Sequence, residues 1–258
     1  MTVLLYGILR SEEAEIRDLP CGIGAQPLVM ASTKKLAAVT SQFERTGEPV
    51  DVADAMAYHE VIASIHRKRT VIPIRFGTVF DQALEILRLL EVKEEKYCAL
   101  LDELDGQVEL GVKLISSALD PPVMKDRCEG SAPEIVPRET GGSGTAYLSH
   151  RRSVYSEEAS RTEWTNRVVE KYRRPFLGFF KKMNFETSPR AQSPRETSSE
   201  LFSLNFLVPW TSVAAFREAF QALKSQESAK MLLSGPWPPY SFVSPDVGPG
   251  NRPFSMRL

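Results

Sequence analysis

The sequence is poor in the residues that carry most protein chemistry. Its 258 residues include three cysteines, Cys21, Cys98 and Cys128, far apart and without a C-x-x-C pair. That excludes a disulfide framework and a zinc knuckle, and points to reduced thiols in a cytoplasmic protein. Histidine is as scarce, with three residues. His59 and His66 stand seven apart, wider than the H-x-x-x-H spacing of helical metal pairs, and His59-Glu60 has no histidine at position 63. His59 is therefore expected to be partly buried and hydrogen-bonded, and His150 has no metal partner in the sequence. No G-x-S-x-G elbow supports a hydrolase nucleophile. Gly22-Ile23-Gly24 lacks a third glycine, and Gly141-Gly142-Ser143-Gly144-Thr145 lacks the lysine of a phosphate cradle, so both read as turn or linker chemistry. No metal and no cofactor is expected. No apolar run approaches the ~20 residues of a membrane span, and the N-terminus has no basic region or cleavage site of a signal peptide. The formal net charge of -1 gives no global field toward nucleic acid or membrane.

What the sequence does have is ordinary globular composition, 42% hydrophobic and 25% charged, arranged around the stretch Arg69–Phe80. Val71, Ile72 and Ile74 favour a buried strand, which Pro73 shortens or confines to an edge. Arg75 among apolar neighbours must be paired or reach the surface. It is expected either to bridge to a carboxylate of a flanking helix or, with Phe76, to contact a partner. Before this stretch, residues 2–9 form a near-continuous apolar run suited to a central strand. Pro27–Ala31 and Leu36–Ser41 read as a hairpin. Asp51–Arg69 reads as a helix whose stripe is Val52, Met56, His59 and Ala63, widened by Ile62 and Ile65, with cations at its end. After it, Asp81–Asp105 reads as one helix ending at Gly106.

From residue 108 the order is β-α-β-β-α-β, the split βαβ or ferredoxin-like plait. Its first strand, Val108–Leu119, alternates, with Val108, Leu110, Val112 and Leu114 on one face and Glu109, Gly111 and Lys113 on the other. A helix over 145–174 with a basic face that includes Arg151 and Arg152, strands at Phe176–Glu186 and Glu200–Val208, a helix at Ser212–Lys224 and a short strand at Lys230–Leu233 complete it. The fold class is thus α+β with two domains. Residues 1–105 form an N-terminal α/β unit. Residues 106–235 form a ferredoxin-like domain with a mobile linker near 120–144. Residues 236–258 form an extended tail rich in aromatics and proline.

In that tail, Gly235-Pro236-Trp237-Pro238-Pro239-Tyr240-Ser241-Phe242 places three rings among three prolines. It must be extended, with its rings buried against the body or against a partner. The stretch Arg151–Arg195 holds eleven Arg or Lys against five Glu. A plait that binds RNA needs an aromatic motif on its open sheet, and Phe176-Leu177-Gly178-Phe179-Phe180-Lys181 lacks its order. Nucleic acid is therefore disfavoured, and a plait-based RNA- or ligand-binding protein stands as the alternative function.

Several motifs in series resemble the gas-vesicle protein family GvpF/GvpL. They are Tyr6-Gly7-Ile8, Leu36–Ser41, His59, Ile72–Phe80, Gly106–Lys113, Gly144–Leu148 and Gly235–Phe242. The resemblance runs to about Val243, and the length and ending lean toward the F branch. It implies an accessory, minor structural protein of gas vesicle organisation rather than an enzyme. Such a protein binds the small hydrophobic shell protein, prevents its aggregation and assists nucleation of the vesicle, alongside other gas vesicle accessory proteins. The partner-binding candidates are Arg75, Phe76, Trp237, Tyr240, Phe242, Arg151 and Arg152.

Overall fold

The computed structural model describes residues 2–13, 18–43, 51–116, 162–189, 200–227 and 229–243. Two antiparallel sheets are built in chain order. The first contains β1 (Thr2–Arg10), β2 (Leu28–Ser32), β3 (Leu36–Phe43), β4 (Ile72–Pro73) and β5 (Val79–Phe80), in the order β2-β3-β1-β4 with β5 also on β1. β1 is central, as its unbroken apolar run requires, and Leu4 to Leu9 are buried. One face packs on α1 (Val52–His66) through Leu4, Tyr6, Val39, Val61, Ile62 and Ile65. The other packs on α2 (Ala83–Val92) and α3 (Glu94–Leu104) through Leu5, Ile8, Ile72, Ile86, Leu90 and Leu101.

Pro73 limits β4 to two residues, and the chain then folds over Tyr58. The buried Tyr58 hydroxyl donates to Leu5 O at 2.7 Å, with Ile74 O at 3.0 Å and Arg75 O at 3.3 Å beside it. One side chain of α1 thereby ties the central strand to the Ile72–Phe80 stretch. Burial raises the Tyr58 hydroxyl pKa well above its usual value. Tyr58→Phe leaves those carbonyls short of a donor and is expected to cost about 1–2 kcal/mol. It is read as a lowered denaturant midpoint at unchanged slope, and an unchanged midpoint would rule this tie out.

The second sheet contains β6 (Gln107–Ser116), β7 (Lys182–Pro189), β8 (Glu200–Pro209) and β9 (Lys230–Trp237), in the order β7-β8-β6-β9. α4 (162–173) lies between β6 and β7 in sequence, and α5 (Val213–Gln226) between β8 and β9. Val108, Leu110, Val112 and Leu114 of β6 share a core with Phe202, Leu204 and Phe206 of β8 and with Val168 and Phe216 of the two helices. Phe176 stacks on Phe216 at 4.2 Å between ring centroids. The α5 stripe of Val213, Phe216, Phe220 and Leu223 is buried as its spacing predicts. Alternation places Glu109, Gly111, Ser203, Asn205 and Leu207 on the opposite face, which carries no ring at these positions. Leu207 joins the α2–α3 core of the first sheet, and Lys182 of β7 pairs with Glu103 of α3 at 2.6 Å.

Four expectations change. Asp81–Asp105 is two helices, because Lys93 leaves helical geometry at φ -110°, ψ 18°. β7 begins at Lys182, and Phe176 instead ends a 3-10 turn that plugs the core. β9 runs on to Trp237. The α1 stripe holds only in part: Ile62 and Ile65 are buried, together with Tyr58 and Val61, while Val52 is 72% and Met56 67% exposed. The linker near 120–144, the start of the 145–174 helix and the end of the tail from Ser244 lie outside the described residues.

Candidate partner-binding groove

The site is shaped by how β9 ends. Glu109 pairs with Trp237 and Gly111 with Ser234, so Gly235 and Pro236 together oppose the single Leu110. This is a bulge, and Gly235 takes it at φ 106°. The bulge re-aims the strand, and Pro238 and Pro239, both buried, lead into a 3-10 turn at Tyr240–Phe242.

That turn is held by polar contacts on both sides. Ser241 donates its N–H to Glu109 Oε2 at 2.8 Å and its hydroxyl to Glu109 Oε1 at 2.7 Å. Asn205 Nδ2 donates to Ser241 Oγ at 3.0 Å, and Asn184 Nδ2 donates to Ser241 O. Glu109, expected to face outward, is therefore buried under the tail. Burial pushes its carboxyl pKa up, and the two Ser241 bonds pull it back. The Tyr240 hydroxyl lies 3.1 Å from His59 Nδ1 of α1. Burial raises the Tyr240 hydroxyl pKa, with the Glu109 charge adding to the effect. Phe242 packs on the α2–α3 core. The tail thus spans from the second sheet to both helical layers of the first.

Between these parts lies a groove of about 860 Å³. Its walls are α1 from His59 to Arg67, the α3–β6 junction, Trp210 and the Pro236–Pro238 segment. The Trp237 ring meets the His59 ring edge to face at 5.4 Å, yet is 43% exposed, and Trp210 is 61% exposed. Arg67, Lys68 and Arg69 form a basic rim. Arg67 bonds Glu60 at 2.6 Å and Lys68 bonds Asp18 at 3.2 Å. Two lining side chains carry buried polar atoms without hydrogen-bond partners: both ring nitrogens of His66, and Oε1 of Gln107, a residue only 4% exposed. Gln107 Nε2 donates to Asp105 O at 2.9 Å, so its oxygen is the open acceptor. Burial lowers the His66 pKa to about 4, leaving it neutral at physiological pH. Among the described residues no group of three or more His, Cys, Asp or Glu is placed to hold a metal, and no helix is long and apolar enough to cross a membrane.

Of the residues singled out from sequence, Trp237 and Tyr240 come together on His59. Phe242 lies on the other side of the turn. Phe76 is half-buried, edge-on to Tyr58 at 5.0 Å. Arg75 is exposed and, among the described residues, forms no ion pair with a flanking helix, so it meets the burial problem by reaching solvent. Arg151 and Arg152 lie outside the described residues. Sequence reading does not single out Trp210 or Gln107, and weighs His66 only as a metal partner of His59. A tryptophan placed directly after Pro209, where β8 ends, was a visible signal. The groove-lining role of His66 and Gln107 depends on the approach of separate elements and leaves no local trace.

Residues 2–244 match the family described as gas vesicle synthesis protein GvpL/GvpF. Gas vesicle protein F of a Streptomyces species is 26% identical over 246 residues, covering 94% of this chain and all of that one. Gas vesicle protein L of the same organism is 27% identical, covering 93% and 91%. Gas vesicle protein F1 of Halobacterium salinarum is 23% identical, covering 94% and 93%. The fold is similar to the crystal structure of gas vesicle protein GvpF from Anabaena sp., at a TM-score of 0.66 and 17% identity over 94% of this chain and 96% of that one. It is also similar to that of GvpF from Microcystis aeruginosa, at 0.65 and 15% over 94% and 99%. Relatives named F and L match almost equally, and the chain belongs to the gas vesicle GvpL/GvpF family.

Proposed function

We propose that this chain is a cytoplasmic accessory protein of gas-vesicle assembly. It binds the small hydrophobic shell protein, keeps it from aggregating and assists nucleation, without catalysing a reaction. Family membership supports the gas-vesicle role. The observation that carries the binding role is the groove, where Trp210 and Trp237 stand exposed beside an apolar wall. Exposed tryptophans around a concavity are favoured interface anchors. A shell subunit prone to self-association needs its apolar surface masked before assembly. We read residues 1–105 and 106–235 as two domains, the second ferredoxin-like from its β-α-β-β-α-β order and its β7-β8-β6-β9 sheet.

The test is co-purification with the small shell protein at low salt and at about 1 M salt, where screening leaves only contacts within roughly 3 Å. Binding is expected at both, because the contact is chiefly apolar. A folded chain that retains no shell protein at either salt would overturn the reading.

A further inference from the structure

We infer that this chain pairs with a second copy of itself through β2, the outer strand of the first sheet. The two sheets join edge to edge across a two-fold axis, and α2 packs on its symmetry mate. The inference does not rest on the shell-protein reading. The joining surface shares no residue with the groove, so a pair of chains carries two grooves.

β2 ends its sheet, with β3 on one side and, among the described residues, no strand on the other. Such an edge is a template for another strand, and proteins guard it with charge, proline or a bulge. The other outer strands of this chain are guarded. β7 carries Lys182, Glu186 and Pro189, β9 carries Lys230 and the bulge at Gly235 and Pro236, and β4 is two residues long with Pro73. β2 reads Leu28-Val29-Met30-Ala31-Ser32 and has none of these devices.

The hairpin fixes which of its peptide groups are free. Thr33 N donates to Leu36 O at 2.8 Å, and Thr40 Oγ1 donates to Val29 O at 3.0 Å. Counting by twos from Thr33, Ala31 and Val29 aim their N–H and C=O at β3. Leu28, Met30 and Ser32 aim theirs outward, where no described loop is bonded to them. An antiparallel mate centred on Met30 sets Met30 against the mate's Met30, and Leu28 against the mate's Ser32 on both sides of the axis. Every outward N–H and C=O of both copies is then paired. The same register sets Val29 against the mate's Ala31. It also brings Lys34 opposite Gln26 and Lys35 opposite Ala25, so no like charges meet.

α2 supplies a second layer. It lies over β2 and β3. Ala31 packs with the α2–α3 core, and Val29 shares its face by alternation yet is 53% exposed. Ile86, Leu89 and Leu90 of α2 pack into that core. Leu84 is 50% exposed and Leu87 half-buried, on the flank away from Leu89. Joining the sheets sets the two α2 axes antiparallel and roughly 10 Å apart, from the spacing of neighbouring strands. That is a helix packing distance. Leu84 and Leu87 then meet their mates above Val29. Strand and helix thus match themselves about one axis, as an isologous contact requires, and this self-match identifies the occupant as a second copy.

The experiment uses the full chain. Sedimentation velocity from about 1 to about 100 μM, where modest interfaces dissociate, is expected to show monomer passing to dimer. Amide exchange at both ends of that range is expected to slow about five-fold or more at Leu28, Met30 and Ser32, and less at Val29 and Ala31. Val29→Lys, at an exposed position, adds the kind of charge that guards natural edges. It is expected to leave the circular dichroism spectrum unchanged and to weaken the dimer about ten-fold or more. Leu84→Lys is expected to weaken it through the helix layer. A parent chain that stays monomeric throughout would overturn the pairing. A dimer as tight in Val29→Lys as in the parent, or one that forms without slowing exchange at Met30 and Ser32, would overturn the surface.

Discussion

Gly235→Ala is expected to destabilise the chain by about 3 kcal/mol or more, well beyond a typical single substitution. Two costs combine. Gly235 sits at φ 106°, where an L side chain is strained by about 1–3 kcal/mol. A Cβ there would also stand 2.5 Å from Glu109 O, a backbone atom of β6 that cannot swing aside, and 3.1 Å from Leu110 Cδ2. Gly178 separates these costs. It has φ 90°, but a Cβ added there meets nothing within 4 Å. Gly178→Ala therefore carries backbone strain alone. Chemical denaturation of both variants is expected to show a clearly larger loss at position 235. Equal losses would mean that the bulge yields and that the β6–β9 contact is not tight. The loss at position 235 reaches the groove as well, because the bulge sets where Trp237 stands and where the Tyr240–Phe242 turn begins. Shell-protein binding by Gly235→Ala, measured below its unfolding temperature, is expected to fall with the fold.

Much of this architecture could be read from residue pattern, and the failures share a cause. β1 and β3 are near-continuous runs buried on both faces, and the α5 stripe and the inward face of β6 keep one period packed on one side, so each is legible from its pattern. α1 is not, because it carries two apolar faces. Val52, Met56, His59 and Ala63 form a face of their own, of which His59 and Ala63 line the groove, while Ile62 and Ile65 turn with Tyr58 and Val61 into the core. Periodicity detects an apolar face and says nothing of what covers it. The break at Lys93 was hidden for a related reason. Leu90 and Tyr97 lie two turns apart, and both remain buried across the kink, so the register survives it. No glycine or proline marks the site, and Glu94, the first residue of α3, is paired with Lys35 at 2.7 Å. Glu109 alternates as an outward residue and is buried only because the tail returns more than a hundred residues later to place Ser241 on it. The aromatic–proline segment reads from sequence as extended and needing cover, yet it is extended only as far as Trp237, and Tyr240–Phe242 form a 3-10 turn. That its parts diverge, with Trp237 exposed on the groove and Phe242 packed on the α2–α3 core, follows from the bulge at Gly235 and from no local rule.

Between pH 6.5 and pH 4 the chain is expected to lose roughly 3 kcal/mol of stability through His66 alone. Its ring is neutral in the fold with a pKa lowered to about 4 by burial, against an ordinary value near 6.5. The unfolded chain binds the proton first on acidification, so unfolding takes up a proton throughout that window and stability falls with pH. At 1.36 kcal/mol for each unit of difference, two and a half units come to about 3 kcal/mol. The loss begins near 6.5 and is complete once pH falls below about 4. The charged groups lining the same groove are Glu60, Asp105, Arg67, Lys68 and Arg69. Glu109, whose carboxyl pKa is raised, works in the opposite sense: its protonation favours the fold as pH drops. His66→Leu removes the titrating ring together with two buried nitrogens that lack partners. It is expected to match or exceed the parent in stability at pH 7 and to keep about 3 kcal/mol that the parent loses at pH 4. Urea unfolding at half-unit pH steps measures both slopes. Parallel curves for parent and variant would show that the His66 ring is solvated in the groove rather than held dry. An occupied groove deepens that burial, so a bound partner is expected to lower the His66 pKa further and to lose affinity only as pH falls to about 4, where the ring of the free folded chain takes up its proton.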